Sequence, residues 1–143
     1  MVKNLFGAEK VDADQLSPLM LAYVGDAVYE LIVRTALLRY GNSSTKNVNR
    51  RAIKYVSAPS QARMAESLLP ILSEKETEIY KRGRNANPHT RAKNASVIDY
   101  RKATGYEALM GYLYLKGESD RLIRIVHEGI KRFEKMTEVS PVK

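Results

Sequence analysis

The chain has no cysteine, no tryptophan and two histidines. Without cysteine there is no disulfide framework, no thiolate zinc site and no sulfur nucleophile. With His89 and His127 as the whole histidine supply, a multi-histidine metal centre is excluded as well. A hard cation held by oxygen ligands remains open. Long hydrophobic runs are missing too. The longest, Leu19 to Val24, falls far short of the roughly 20 residues that a membrane helix needs. Met1 to Asp14 lacks a basic stretch leading into an apolar one, so nothing there reads as an export signal. The expectation is a soluble, cytoplasmic protein that does not engage membranes. Acids are in short supply: 16 Asp and Glu stand against 24 Lys and Arg, for a formal net charge of +8. Such a surplus favours a polyanionic partner, most simply nucleic acid.

What is present is helical. The 143 residues suit one domain, residues 1–143, with a core from about Ser17 to Phe133. The tail from Met136 to Lys143 is expected to be flexible. Ser17-Pro18 is a cap followed by proline, and Gly41 sits where a helix would stop. Between them Leu19 to Tyr40 is apolar almost all round, the mark of a buried central helix. A second helix is expected over Thr45 to Val56, and a third from Ser57-Ala58-Pro59 to Leu69-Pro70. Ser73 with Glu76 forms a capping box for a fourth, which Gly83 closes. Ser96 with Asp99 repeats the signal for a fifth, running to Gly117. Ser119 opens a sixth, with apolar residues at Leu122, Ile125, Val126, Gly129, Ile130 and Phe133. No strand-like alternation, repeat or low-complexity stretch occurs, so the fold class is all-α: a compact multi-helix domain.

One segment breaks the pattern. Arg84 to Ala95 carries Asn85, Asn87, Pro88 and Asn94, all turn formers. The acids avoid it. None occurs between Glu78 and Asp99, where Lys81, Arg82, Arg84, Arg91 and Lys93 lie. None occurs between Glu30 and Glu66 either, where Arg34, Arg39, Lys46, Arg50, Arg51, Lys54 and Arg63 lie. Half of the basic residues fall in these two windows. A charge run is often only a solvated face, but two acid-free windows and a basic loop favour phosphate contact. His89 would touch phosphate within that loop, and His127 reads as structural. The nine tyrosines and two phenylalanines sit mostly at core spacing, so no base-stacking platform is inferred.

Two carboxylates lie where acids are costly. Asp26 follows Gly25 in the middle of the most apolar helix. Glu107 is flanked by Tyr106, Ala108, Leu109 and Met110, with Gly105 and Gly111 nearby. Mid-helix glycines cost roughly 1 kcal/mol relative to alanine, and they permit close approach of another backbone. If the two helices cross there, the acids form one site, and a shared Mg2+ converts their repulsion into binding. The alternative is that each acid pairs with a buried arginine or caps a backbone group. Glu30, one turn beyond Asp26, could join a metal site. It is also one turn before Arg34, and an i,i+4 ion pair explains it better.

The segment Leu21-Ala22-Tyr23-Val24-Gly25-Asp26-Ala27-Val28 resembles the signature of the ribonuclease III family, and Tyr106-Glu107-Ala108-Leu109-Met110-Gly111 resembles that family's second motif. The short bacterial branch, Mini-ribonuclease III, is the nearest likeness. The Leu-Ala-Tyr opening of the first motif is similar to that branch, as is Lys81-Arg82-Gly83-Arg84-Asn85-Ala86. The chain also ends where the family's double-stranded-RNA-binding domain would begin. The resemblance implies a helical homodimer that cuts double-stranded RNA with Mg2+, Mn2+ being able to substitute. It leaves 5′-phosphate and 3′-hydroxyl ends, and the branch implies maturation of the 23S ribosomal RNA precursor, with room for a ribosomal protein helper. Asp26 and Glu107 carry over as catalytic metal ligands. RNA contact is expected from Lys81, Arg82, Arg84, Asn85, His89, Arg91 and Lys93, and from Arg50, Arg51 and Lys54. The family's other acids are absent: Ala22, Thr104 and Thr45 stand at or near their positions. That depletion motivates a second reading, a non-catalytic double-stranded-RNA-binding module on the same fold. A helical DNA-binding protein is a weaker third.

Overall fold

A computed structural model describes residues 2–86 and 95–137. Every regular element among them is helical: α1 (Val2–Leu5), α2 (Pro18–Leu37), α3 (Thr45–Val56), α4 (Ala58–Leu68), α5 (Glu74–Arg84), α6 (Ala95–Leu115) and α7 (Ser119–Thr137), with short 3-10 turns between some of them. No described helix is long and apolar enough to cross a membrane.

The helix starts follow local chemistry. The Ser17 hydroxyl accepts the Met20 N–H at 3.2 Å, and Pro18 takes a position where no N–H is needed. At Ser73 the capping box closes in both directions. Gly41 and Gly117 turn the chain with φ of +77° and +73°, values that side chains with a Cβ rarely adopt. Three boundary expectations change. Gly83 lies inside α5, which runs on to Arg84, and its role is packing rather than termination. The fifth expected helix starts at Ala95, one residue before Ser96. At the other end α7 continues through Met136 to Thr137, so the expected tail is helical that far; residues 138–143 lie outside the described residues.

The buried central helix is α6, not α2. From Ala103 to Leu113 every α6 residue is buried except Glu107. Around it pack α2, α4, α5 and α7. Helix α2 buries one stripe, Leu21, Ala22, Gly25, Tyr29, Val33 and Leu37, at the four-residue spacing of a single face. Val28 and Ile32 flank that stripe, partly buried against the core, while the opposite side stays outside: Tyr23 is 76% exposed and Leu31 67%. An all-round apolar helix has two faces to cover, and here the chain covers one. The six apolar positions expected for the last helix are all buried in α7. In the interior, Tyr29 meets Tyr106 edge-to-face at 5.1 Å, and the Tyr29 hydroxyl donates to the Tyr55 carbonyl at 2.7 Å.

One polar clamp ties α5 to α7. Arg121 donates from Nε and Nη2 to the two oxygens of the buried Glu76 carboxylate, both at 2.8 Å, and Nη2 also reaches the Ile71 carbonyl at 3.0 Å. Arg121, helped by the Ser73 N–H, holds the Glu76 carboxyl below its ordinary pKa. Arg121→Met should cost about 2–3 kcal/mol in urea unfolding at pH 7. A carboxyl whose pKa is lower folded than unfolded stabilises the fold fully above its unfolded pKa. That stability is lost as the pH falls through the folded value. The gap between wild type and Arg121→Met should therefore narrow below about pH 4, near the ordinary carboxyl pKa. A gap that stays constant down to pH 3 would reject this account.

Candidate nuclease site

Helices α2 and α6 cross in backbone contact. A Cβ at Gly25 would stand 1.7 Å from the Glu107 carbonyl oxygen and 2.7 Å from the Gly111 nitrogen. A Cβ at Gly111 would stand 1.9 Å from the Leu21 carbonyl oxygen. Each helix needs a glycine at this point because each meets the other's main chain. A second glycine contact, Gly83 against Gly105, seats α5 on α6 a turn and a half away along that helix.

The α2–α6 crossing sets Asp26 and Glu107 side by side. Asp26 is exposed, contrary to its expected burial, because it points off the α2 stripe that faces the core. Glu107 is half-buried. Its pKa is pushed up to about 8, first by burial, then by the hydrogen bond with Asp26 and by the charge of Asp26, with a smaller contribution from Glu30. Only the side-chain amide of Gln61 works in the opposite direction among the principal influences. No lysine or arginine makes a salt bridge to either acid among the described residues. The alternative of buried arginine partners therefore finds no support there.

Glu30 pairs with Arg34 at 3.7 Å, as its spacing suggests; Arg34 is exposed and Glu30 partly so. Among the described residues, no three His, Asp or Glu side chains gather into one ligand cluster. The positions without the family's acids are put to other uses. Ala22 is buried. Thr104 is buried, and its hydroxyl donates to the Tyr100 carbonyl at 3.0 Å. Thr45 opens α3 and is exposed.

The donor set fits a divalent cation. Two carboxylates share a partly desolvated place with no salt-bridging cation among the described residues, and a neutral amide influences Glu107. Gln61 is 2% exposed, and its Oε1 has no hydrogen-bond donor. The sequence reading passed over this residue. Its signal was a lone amide on the core-facing register of α4, three residues before Met64 and four before Ala65, both buried.

The basic residues fall into two described groups. Arg50, Arg51 and Lys54 are exposed on α3, and the Arg51 guanidinium stacks 4.1 Å above the Tyr40 ring. Lys81 and Arg82 are exposed on the last turns of α5. Arg84 lies over the Tyr80 ring at 5.8 Å and donates to the Asn85 side chain at 3.2 Å. His89, Arg91 and Lys93 lie outside the described residues. His127 is exposed on α7 rather than packed.

Comparison with known proteins gives one consistent likeness. Residues 19–118 match the ribonuclease III domain. A protein of Streptococcus pneumoniae named Mini-ribonuclease 3 is 44% identical over 126 residues, spanning 87% of this chain and 98% of its own. Its namesake in Enterococcus faecalis is 47% identical over 123 residues, covering 85% and 93%. That of Clostridium tetani is 40% identical over 141 residues, covering 96% and 93%. A Fusobacterium nucleatum protein solved by X-ray crystallography superposes with a TM-score of 0.71 at 30% identity, over 82% of this chain and 93% of that one.

Proposed function

This chain belongs to the ribonuclease III family and is an endoribonuclease, and we propose that it cuts double-stranded RNA at a site built on Asp26 and Glu107. The reading rests on one observation above the others: two carboxylates meet at a glycine-lined helix crossing with no salt-bridging cation among the described residues. Mg2+, or Mn2+ in its place, would be held by these two side chains. When bound, such an ion supplies Lewis acidity toward a phosphate oxygen and acidifies a water for attack.

The chain's own residues do the rest. Asp26 presents its carboxylate at the surface, within reach of a phosphodiester. Glu107 is set back, and the Gln61 amide favours its charged form. Arg50, Arg51 and Lys54 on α3, and Lys81, Arg82 and Arg84 on α5, neutralise strand phosphates. Arg51 and Arg84 are partly pre-oriented by the tyrosines beneath them. Such contacts read duplex shape rather than sequence and weaken as salt rises. The uncovered face of α2, with Met20, Tyr23 and Leu31 exposed and Leu38 exposed just past its end, suits a second copy of the chain. A two-fold dimer would bring one site to each antiparallel strand. The branch resemblance supports a role for the enzyme in the cytoplasm, in maturation of the large-subunit ribosomal RNA precursor, where a ribosomal protein would present the substrate.

The test uses a perfect RNA duplex and its DNA counterpart, with Mg2+ or with chelator, and an Asp26→Asn variant. Cutting of RNA alone, lost in chelator and in the variant, is expected. Asp26→Asn should keep its salt-sensitive RNA binding. A variant that still cuts at the wild-type rate would remove Asp26 from the site. Tight binding by the wild type without cutting would favour the non-catalytic module.

A further inference from the structure

The chain leaves α5 after Arg84 and enters α6 at Ala95, so these two helix ends are the stems of the basic segment between them. Where the stems meet there is a cavity of about 170 Å3, lined by Arg84, Asn85, Ile98, Arg101 and Lys102. Three cations and an amide share it, and no carboxylate is among its described lining residues. Arg101 lies beyond Asp99, outside the acid-free window, so charge patterning along the chain passes over it.

Backbone contact builds this cavity. A Cβ at Gly83 would stand 2.8 Å from the Gly105 Cα, where α5 seats on α6. Arg84 follows Gly83, and Arg101 stands one turn before Gly105, so the crossing brings both guanidiniums to one place. Each is held. Arg84 lies over the Tyr80 ring at 5.8 Å and donates from Nε to the Asn85 side chain at 3.2 Å. Arg101 is partly buried, with its Nε enclosed. Lys102 is tied to Glu66 on α4, which offsets one of the three charges. Like charges held together in a partly desolvated place repel, and an anion between them reverses the sign of that energy. The planar fork of arginine suits the oxygens of a phosphate.

We propose that this cavity binds a backbone phosphate of the RNA strand, with Arg101 joining Arg84 on that one phosphate. This rests on the reading of the chain as a nuclease of duplex RNA. The phosphate is not the one being cut. Arg101 precedes Glu107 by roughly 9 Å along the α6 axis, and it borders α5, whereas Glu107 lies at the crossing with α2. The cavity therefore grips the duplex away from the scissile bond, and its loss is read in binding rather than in turnover.

The experiment measures equilibrium binding of a fluorescein-labelled RNA duplex to the full-length protein by anisotropy, in chelator, over a series of salt concentrations. Arg101→Gln should weaken binding about 10-fold at low salt, as loss of one charge-assisted contact does. The slope of log affinity against log salt should become shallower by about one, as for one phosphate contact. In Mg2+ its KM on the duplex should rise by a similar factor while kcat stays within about twofold. Arg124→Gln removes the same charge from an exposed position on α7 and should match wild type in affinity and slope. Arg84→Gln completes a cycle. Two arginines on one phosphate are coupled, so the double variant should lose less affinity than the product of the single losses. Should Arg101→Gln fail to fold, Arg101→Lys keeps the charge and most of the stem but not the fork, and it should still bind more weakly than wild type. Folded Arg101 variants with affinity within about twofold of wild type and an unchanged slope would overturn the proposal. An equal loss in Arg124→Gln would overturn it as well, since the effect would then be one of net charge. Strictly multiplicative losses at Arg84 and Arg101 would put them on separate phosphates and dissolve the shared site. Wild-type protein without salt-sensitive binding to duplex RNA would refute the RNA reading itself, and this proposal with it. Salt-sensitive binding by wild type, unchanged in Arg101→Gln, would refute the Arg101 site alone.

Discussion

Glu107→Gln should abolish cleavage of duplex RNA while leaving the protein folded and, without divalent cation, more stable above neutral pH. The loss of activity should exceed about 100-fold, the upper range for groups that merely support a metal ligand. The gain in stability has a different origin. Glu107 is half-buried beside Asp26, and both effects favour its neutral form, raising its pKa to about 8. An unfolded glutamate ionises near pH 4.3. Between those values the folded state binds more protons than the unfolded one, so stability falls as pH rises. In chelated protein the wild-type Tm should therefore drop from pH 5 to pH 8 more steeply than that of Glu107→Gln. Mg2+ or Mn2+ should raise the wild-type Tm at pH 8 and leave the variant's almost unchanged. Parallel Tm–pH curves for the two proteins would show that Glu107 is not held in an unfavourable charged state. A destabilised variant at pH 8 would show that the carboxylate serves the fold rather than the chemistry.

Gly25→Ala should disrupt the protein outright. The added methyl would lie 1.7 Å from a carbonyl oxygen and 2.7 Å from a backbone nitrogen, and neither belongs to a side chain that can swing away. The helices would have to part along the contact that builds the core. Overpacking of side chains costs about 1–3 kcal/mol; a collision of two main chains should exceed that. This is a large share of the roughly 5–15 kcal/mol that holds a domain together. Any folded remainder should have lost the Asp26–Glu107 juxtaposition and with it the activity. Gly129→Ala is the contrast. Its new Cβ would meet Leu68 Cδ1 at 3.1 Å, a side-chain tip that can yield, and alanine is the better helix former. Circular dichroism and urea unfolding should find Gly129→Ala near wild type and Gly25→Ala largely unfolded. Equal stability of the two would mean that the α2–α6 crossing is looser than described.

Much of the helical layout follows from short-range signals. Ser17-Pro18, the Ser73–Glu76 box and Gly41 act within a few residues, and α2 and α5 begin where such signals place them. Gly83 shows where this logic stops. A glycine near the end of a helical stretch reads as a terminator, but here it is the contact point with Gly105. Its meaning depends on a residue 22 positions away, which no local pattern contains.

Residue composition and spacing are enough to make the chain all-α, to leave it basic in two acid-free windows, and to mark Gly25-Asp26 and Glu107 as the unusual features of two apolar helices. These are properties of composition, spacing and local backbone chemistry. Which apolar helix is central is settled by packing, because α2 and α6 are both strongly apolar and differ in how much of their surface neighbouring helices cover. Packing also decided that Asp26 stands exposed while Glu107 is set back. Burial, charge coupling and orphaned polar atoms are relations between elements distant in the chain, and they come into being when the helices pack.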